Sequence, residues 1–172
     1  MLKLLGVGCI LTASVGLGFY ESWELTRHEQ DLKQIRQMIL FMSGEIAFGH
    51  LSLEQTFLCV AEKMQGIYKE FLEMTAKTMR TSHGQKFAEI YRECAREVLQ
   101  AARLSMEERE RLYAFGEYLG YLDKEMQLRQ LELYEQELER TIEEFHLEMT
   151  GRKKVYQNLG IFGGILLAVL VW

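Results

Sequence analysis

The sequence predicts an all-α protein: an antiparallel six-helix bundle flanked by an N-terminal and a C-terminal transmembrane helix. Three observations carry this reading. The 172 residues contain no proline, so nothing locks φ or deletes a backbone donor inside a helix. Through the middle of the chain apolar residues recur every three or four positions, and no stretch alternates apolar and polar long enough for a strand. All 25 acidic and 19 of the 20 basic side chains lie in 21–154, whereas 4–20 and 155–172 carry no charge.

The division that follows is a transmembrane helix over 1–20, a cytoplasmic helical bundle over 21–154 and a second transmembrane helix over 155–172. With 48% apolar and 26% charged residues the chain is too hydrophobic for disorder. Its net charge of −5 argues against nonspecific nucleic-acid binding, and no nucleic-acid partner is expected.

The two uncharged runs hold 17 and 18 residues. At about 1.5 Å per residue each helix reaches about 26–27 Å, slightly less than a hydrocarbon core of about 30 Å, with flanking residues making up the difference. Tyr20 and Trp23 at one end, and Tyr156 and Trp172 at the other, suit the aromatic belt. A cleaved signal peptide fits the first run poorly. Lys3 is a thin basic region and no small-x-small site follows. The second run follows Arg152, Lys153 and Lys154 directly, which favours a membrane helix over a buried core helix.

Basic residues near the spans set the orientation. Arg27, Lys33 and Arg36 follow the first, Arg140 and Arg152–Lys154 precede the second, and Lys3 stands alone on the other side. The positive-inside rule then puts the middle in the cytoplasm and both termini across the membrane, with the triplet Arg152, Lys153 and Lys154 against anionic headgroups. Gly160, Gly164 and Ala168 recur every fourth residue, a pattern that lets helices approach closely. Packing between the spans, packing on a partner and tolerated glycine in a lipid-facing helix all fit.

Within 21–154 punctuation divides the helices. The first runs over 21–47, with Leu32, Ile35, Ile39, Met42 and Ile46 on one face, continuous with the first span or separate from it. Gly49 and His50 end it. Ser52 caps a second helix bearing Phe57, Val60, Ala61 and Met64. Gly66 separates a third, marked by Ile67, Phe71, Met74 and Met79. Ser82, His83 and Gly84 form a loop; Phe87, Ile90, Tyr91, Cys94 and Val98 then line a fourth. Ser105 and Glu108 make a capping box for a fifth helix that ends near Leu119 and Gly120. Asp123 caps a sixth, with Leu128, Leu131, Leu138, Ile142, Phe145 and Met149 inward. It ends at Gly151 or runs into the second span.

Catalytic chemistry is not visible. Cys9, Cys59 and Cys94 have no metal-ligand spacing, and the latter two fall on apolar faces, where free cysteine acts as a small hydrophobe. Glu143 and His146 form one Glu-x-x-His, the spacing of a di-iron bundle, but no second copy exists. No HExxH, phosphate loop, dinucleotide fingerprint or nucleophile elbow is present. No catalytic residue, cofactor or metal is expected. The acidic stretch 132–148 fits either a solvated helix face or a coiled-coil surface for a partner.

Two glycine-bearing segments carry a resemblance. Glu45, Ile46, Phe48 and Gly49, with Leu53 after His50, resemble the "E-I-x-[YF]-G-x-x-x-L" turn of the stage III sporulation protein AB family. Phe115, Gly116, Leu119, Gly120, Asp123 and Gln127 match that family's "F-G-x-x-L-G-x-x-D-x-x-x-Q" segment. The opening Met1, Leu2, Lys3, Leu4, Leu5 and Gly6, then Gly18 and Phe19, and Leu159 with Gly160 in the last span, follow in the right order.

The family is similar to the F-type platform domains of type II secretion and type IV pilus systems, whose soluble domain is a six-helix bundle. The resemblance implies a non-enzymatic component of a sporulation channel complex on the mother-cell side, in the outer forespore membrane. Its implied partners are the complex's ATPase (stage III sporulation protein AA-like), other subunits and further copies of itself. Platform proteins proper carry two such domains and more spans. A membrane-anchored helical adaptor or sensor without an export role is the alternative. From the residues alone, Glu45, Gly49, His50, Leu53, Phe115, Gly116, Gly120, Asp123 and Gln127 are candidates for partner contacts at the turns, or for plain caps and tight helix ends.

Overall fold

The computed structural model describes the backbone of residues 2–49, 51–82, 84–121 and 123–171, and the side chains of residue 20, 23–49, 51–82, 84–120 and 123–149. Among these residues there are six α-helices and no strand: α1 (Leu2–Phe48), α2 (Leu53–Lys63), α3 (Gly66–Thr81), α4 (Phe87–Val98), α5 (Met106–Tyr121) and α6 (Lys124–Val171). The first expected helix is thus continuous with the uncharged run before it, and the sixth continues into the run after it. A 3-10 turn at Leu99–Ala101, which no pattern in the sequence announces, links α4 to the start of α5.

The helix starts follow from the residues that precede them. The Ser52 hydroxyl accepts from the Gln55 amide at 3.3 Å and the Gln55 side chain accepts from the Ser52 amide at 3.1 Å. Ser105 and Glu108 repeat the arrangement before α5, at 3.2 and 2.7 Å. Asp123 accepts from the Met126 amide at 2.9 Å. Each of these satisfies an orphan donor that the first turn leaves open. Gly66 and Gly84 hold φ of +60° and +97°, where a Cβ would be strained. Gly66 opens α3, and Gly84 lies in the turn before α4.

The chain divides into two compact units, one of residues 30–141 and one of 1–29 with 142–172. In the first, α2 and α3 form one hairpin, α4 packs on both α3 and α5, and the 3-10 turn lies against α3 and α4. The inward stripe of α1 is Leu32, Ile35, Met38, Ile39 and Met42, all at most 1% exposed; Ile46 is half-buried. On α3 the buried face is Tyr68, Phe71, Leu72, Thr75 and Ala76; of the residues that mark this helix in the sequence, Phe71 is buried and Ile67, Met74 and Met79 are half-buried. Tyr68 takes the central place because its hydroxyl can bond Asp31 and so be buried without penalty.

Tyr91 is the middle of the core. Its ring meets Phe71 edge-on at 5.2 Å, Phe57 at 6.3 Å and Phe115 at 6.4 Å, and lies tilted against Phe87 at 5.8 Å. Gly116 lets α5 approach this ring, because a Cβ there would overlap the Tyr91 ring atoms, and a Cβ at Gly120 would fit tightly against Phe87. Gly116 therefore lies inside α5 and serves close packing, whereas Gly120 is the last residue but one of that helix. Among the described residues the Tyr91 hydroxyl has no hydrogen-bond partner.

In the second unit α1 and α6 run side by side. The His28 ring lies 4.6 Å from that of Phe145, and Nδ1 of His146 is 3.1 Å from Oε1 of the buried Glu29. His146 thus takes part in a contact between helices, beyond the solvated face expected for it. Met149 is buried here. Among the described residues no helix is long and apolar enough to cross a membrane. The side chains of 4–19 and 155–172, on which the two expected spans rest, lie outside the described residues.

Two outcomes follow for stability. Gly116→Ala forces a methyl into the Tyr91 ring and should cost about 1–3 kcal/mol, read as a lower midpoint in urea. Tyr91→Phe removes a buried hydroxyl without a partner and should raise stability by about 1 kcal/mol; a loss would show that the hydroxyl is bonded.

Burial also pushes the hydroxyls of Tyr68, Tyr91 and Tyr134 above the usual value of 10.0, and for Tyr68 the Asp31 carboxylate adds to this. Raised folded values mean that their stabilising contribution is complete below pH about 10. It is lost above that, because the unfolded chain's tyrosines ionise first. Denaturant midpoints should therefore fall as pH rises past about 10. Tyrosinate absorbance from these three residues should appear only together with loss of the helical signal.

Candidate functional site

The two motif segments meet at one end of the 30–141 unit. At the end of α1, the Glu45 carboxylate accepts from Nζ of Lys63 at 2.6 Å, tying the last turn of α1 to the last residue of α2. That bond raises the Lys63 ammonium above its ordinary value. The Gly49 amide donates to the Glu45 carbonyl at 2.8 Å, closing the helix. A Cβ on Gly49 would press on that same carbonyl. Leu53 opens α2 and is half-buried. His50 lies outside the described residues.

The second segment folds as the α5–α6 turn. Phe115 is buried and stacks on Tyr134 at 5.1 Å. Asp123 caps α6 through its side chain, and its carbonyl accepts from the Gln127 amide at 2.9 Å. The Gln127 side chain donates back to the Leu119 carbonyl at 2.6 Å, filling an acceptor that the end of α5 leaves open. Asp123 and Gln127 are thus turn-locking residues.

Lys124, which the sequence did not single out, joins the two segments. Its Nζ donates to the Ala47 carbonyl at 2.8 Å, satisfying a free acceptor at the C-terminal end of α1, where a cation also meets the negative end of the helix dipole. The first turn of α6 is thereby pinned to the last turn of α1.

Two further polar centres hold the same unit. Oδ1 of Asp31 accepts from the Tyr68 hydroxyl at 3.0 Å and Oδ2 from the Arg103 amide at 2.8 Å, joining α1, α3 and the connection before α5. Arg36 on α1 donates to Glu135 at 2.6 Å and to Glu139 at 3.0 Å on α6. The lone charge signal for this pair is an arginine on the polar flank of α1, which could have been matched with any glutamate of α6. Only the fold selects the partner.

Among the described residues no group of three or more His, Cys, Asp or Glu is placed to hold a metal ion. Cys94 is buried, its Sγ 3.7 Å from the Thr78 hydroxyl, and Cys59 is half-buried. Arg152, Lys153, Lys154, Gly160, Gly164 and Ala168 fall within α6, and their side chains lie outside the described residues.

The sequence profile described as stage III sporulation protein AB matches residues 3–172. The chain belongs to that family. A relative, stage III sporulation protein AB of Bacillus subtilis (strain 168), is 27% identical over 172 residues, covering 99% of each chain. A solved structure of stage III sporulation protein AB is 18% identical, with a TM-score of 0.65 over 72% of this chain and 97% of that one, which shows a shared fold. The match spans both glycine-bearing segments on which the resemblance rests. In this member of the stage III sporulation protein AB family, those segments are the two turns that Lys124 brings together.

Opening the turn should be measurable without affecting helix content greatly. Asp123→Ala removes a cap and should cost about 1 kcal/mol. Asp31→Ala removes the carboxylate that accepts from the Arg103 amide and from the Tyr68 hydroxyl, which keeps the residue 31 carbonyl at 3.3 Å, and should cost about 1–3 kcal/mol. Urea titration followed by circular dichroism compares them.

Proposed function

We propose that this chain is a non-enzymatic membrane platform of a sporulation channel complex between mother cell and forespore, coupling a cytoplasmic ATPase to the membrane assembly. The match to the stage III sporulation protein AB family over residues 3–172, both uncharged runs included, is the observation that carries it. The runs 4–20 and 155–172 lack any charged side chain, and residues 4–20 and 155–171 sit in the outer parts of α1 and α6. Both are proposed to span the outer forespore membrane, with the bundle in the mother-cell cytoplasm and both termini on the opposite side.

Arg152, Lys153 and Lys154 are the proposed membrane-surface contact, each basic residue near an anionic leaflet contributing about 1 kcal/mol. Gly160, Gly164 and Ala168 are the proposed packing face in the second span. The ATPase partner comes from the likeness to F-type platform domains. One bundle per chain, where platform proteins proper have two, makes self-association the route to a larger platform. Among the described residues of the motif segments, Glu45 is held in an ion pair, Asp123 in a cap and Gln127 in a turn lock, which supports a role in holding a binding shape.

Protease treatment of sporulating cells tests the orientation. The bundle should be protected in spheroplasts and cleaved in inverted vesicles, followed with an antibody to residues 30–141. Cleavage in spheroplasts would put the bundle outside and end the platform reading.

A further inference from the structure

Three side chains of α1 line up where its uncharged run ends. Tyr20, Trp23 and Arg27 stand at i, i+3 and i+7, on one face of the helix. Tyr20 and Trp23 are 52% and 51% exposed, and Arg27 is exposed. The Arg27 guanidinium lies over the Trp23 ring, 4.2 Å from its centroid. Side chains of a helix lean toward its N-terminus, so Arg27 reaches back about one turn toward the uncharged run. The ring holds its charge there by cation–π attraction. Glu24, the carboxylate nearest along the helix, is half-buried and has contacts of its own.

Depth follows from the helix rise. Thr12 is the middle of the run 4–20 and is set at the midplane of a bilayer. At about 1.5 Å per residue an upright helix then carries the Trp23 backbone about 16–17 Å out and that of Arg27 about 22–23 Å out. The headgroup layer lies between about 15 and about 22 Å from the midplane. Trp23 therefore stands at the inner edge of that layer, and the Arg27 guanidinium, drawn back onto the ring, lies within it. An indole suits this depth, being apolar over most of its surface with one polar N–H. A guanidinium suits a phosphate, which it binds through two parallel N–H donors. The sequence groups Arg27 with Lys33 and Arg36, and the structure separates them. Lys33 and Arg36 come about 32 and 36 Å out, beyond the headgroups, and Arg36 is held by Glu135 and Glu139.

We propose that Tyr20, Trp23 and Arg27 form a phospholipid anchor on α1. Trp23 packs among the headgroups and presents the Arg27 guanidinium to a lipid phosphate, with Tyr20 below them at the edge of the hydrocarbon. The inference rests on the membrane reading and deepens it, since this face meets lipid only if residues 4–20 span the bilayer. It gives α1 a lipid contact of its own, in addition to the one proposed for Arg152, Lys153 and Lys154 on α6.

The test uses the full chain with Trp172→Phe, which leaves Trp23 as its one tryptophan. It is reconstituted in nanodiscs of phosphatidylcholine brominated close to the headgroup, brominated close to the acyl chain end, or unbrominated. Trp23 fluorescence should be quenched more by the shallow bromines than by the deep ones. Arg27→Glu sets a carboxylate against the phosphates and should lower the shallow quenching about twofold. Arg27→Lys, which keeps the charge, should lower it less, and Lys33→Gln should leave it unchanged. A chain that does not enter nanodiscs would overturn the membrane reading and this inference with it. A chain that enters them with Trp23 unquenched by either lipid, or with quenching indifferent to Arg27→Glu, would overturn the inference alone. Circular dichroism confirms that every variant compared is folded.

Discussion

The structure depends on the antiparallel pairing of its first helix with its last. In residues 30–141, Arg36 on α1 reaches Glu135 and Glu139 on α6, and Lys124 at the start of α6 reaches Ala47 near the end of α1. In the other unit, His28 and Glu29 meet Phe145 and His146. Exposed ion pairs contribute little singly. The order of these contacts matters more, because residue numbers descend along α1 as they ascend along α6. That order brings the two ends of the chain into one compact unit.

The helices between α1 and α6 in turn depend on a crowded aromatic centre. Tyr91 is surrounded by rings from α2, α3, α4 and α5, and α5 comes near enough only because position 116 has no side chain. The stacked pair Phe115 and Tyr134 continues this centre to α6. One face of α5 is therefore structural, through Gly116, while Tyr118 remains half-exposed.

Much of this was legible in the sequence, for local reasons. Caps and positive-φ glycines act within a few residues, so Ser52, Ser105, Asp123, Gly66 and Gly84 could be placed from neighbours alone. The inward faces of α1 and α4 followed from spacing. What could not be read depends on partners far along the chain. Asp31 finds Tyr68 and Arg103, and Lys124 finds a carbonyl 77 positions away. Gly116 looks like a helix-end glycine until the ring of Tyr91 is seen beside it. On α3 spacing picked out Phe71, while Tyr68 takes a central place because its hydroxyl bonds Asp31, 37 positions away.

The pairing of α1 with α6 is the central claim, and cross-linking in the full chain tests it most directly. With Cys9, Cys59 and Cys94 replaced by serine, His28→Cys and Phe145→Cys together should cross-link rapidly with a short bis-maleimide. The product should be a single chain of altered mobility, while either substitution alone should give none. Absence of that product, or a species of twice the mass in its place, would contradict the pairing within one chain.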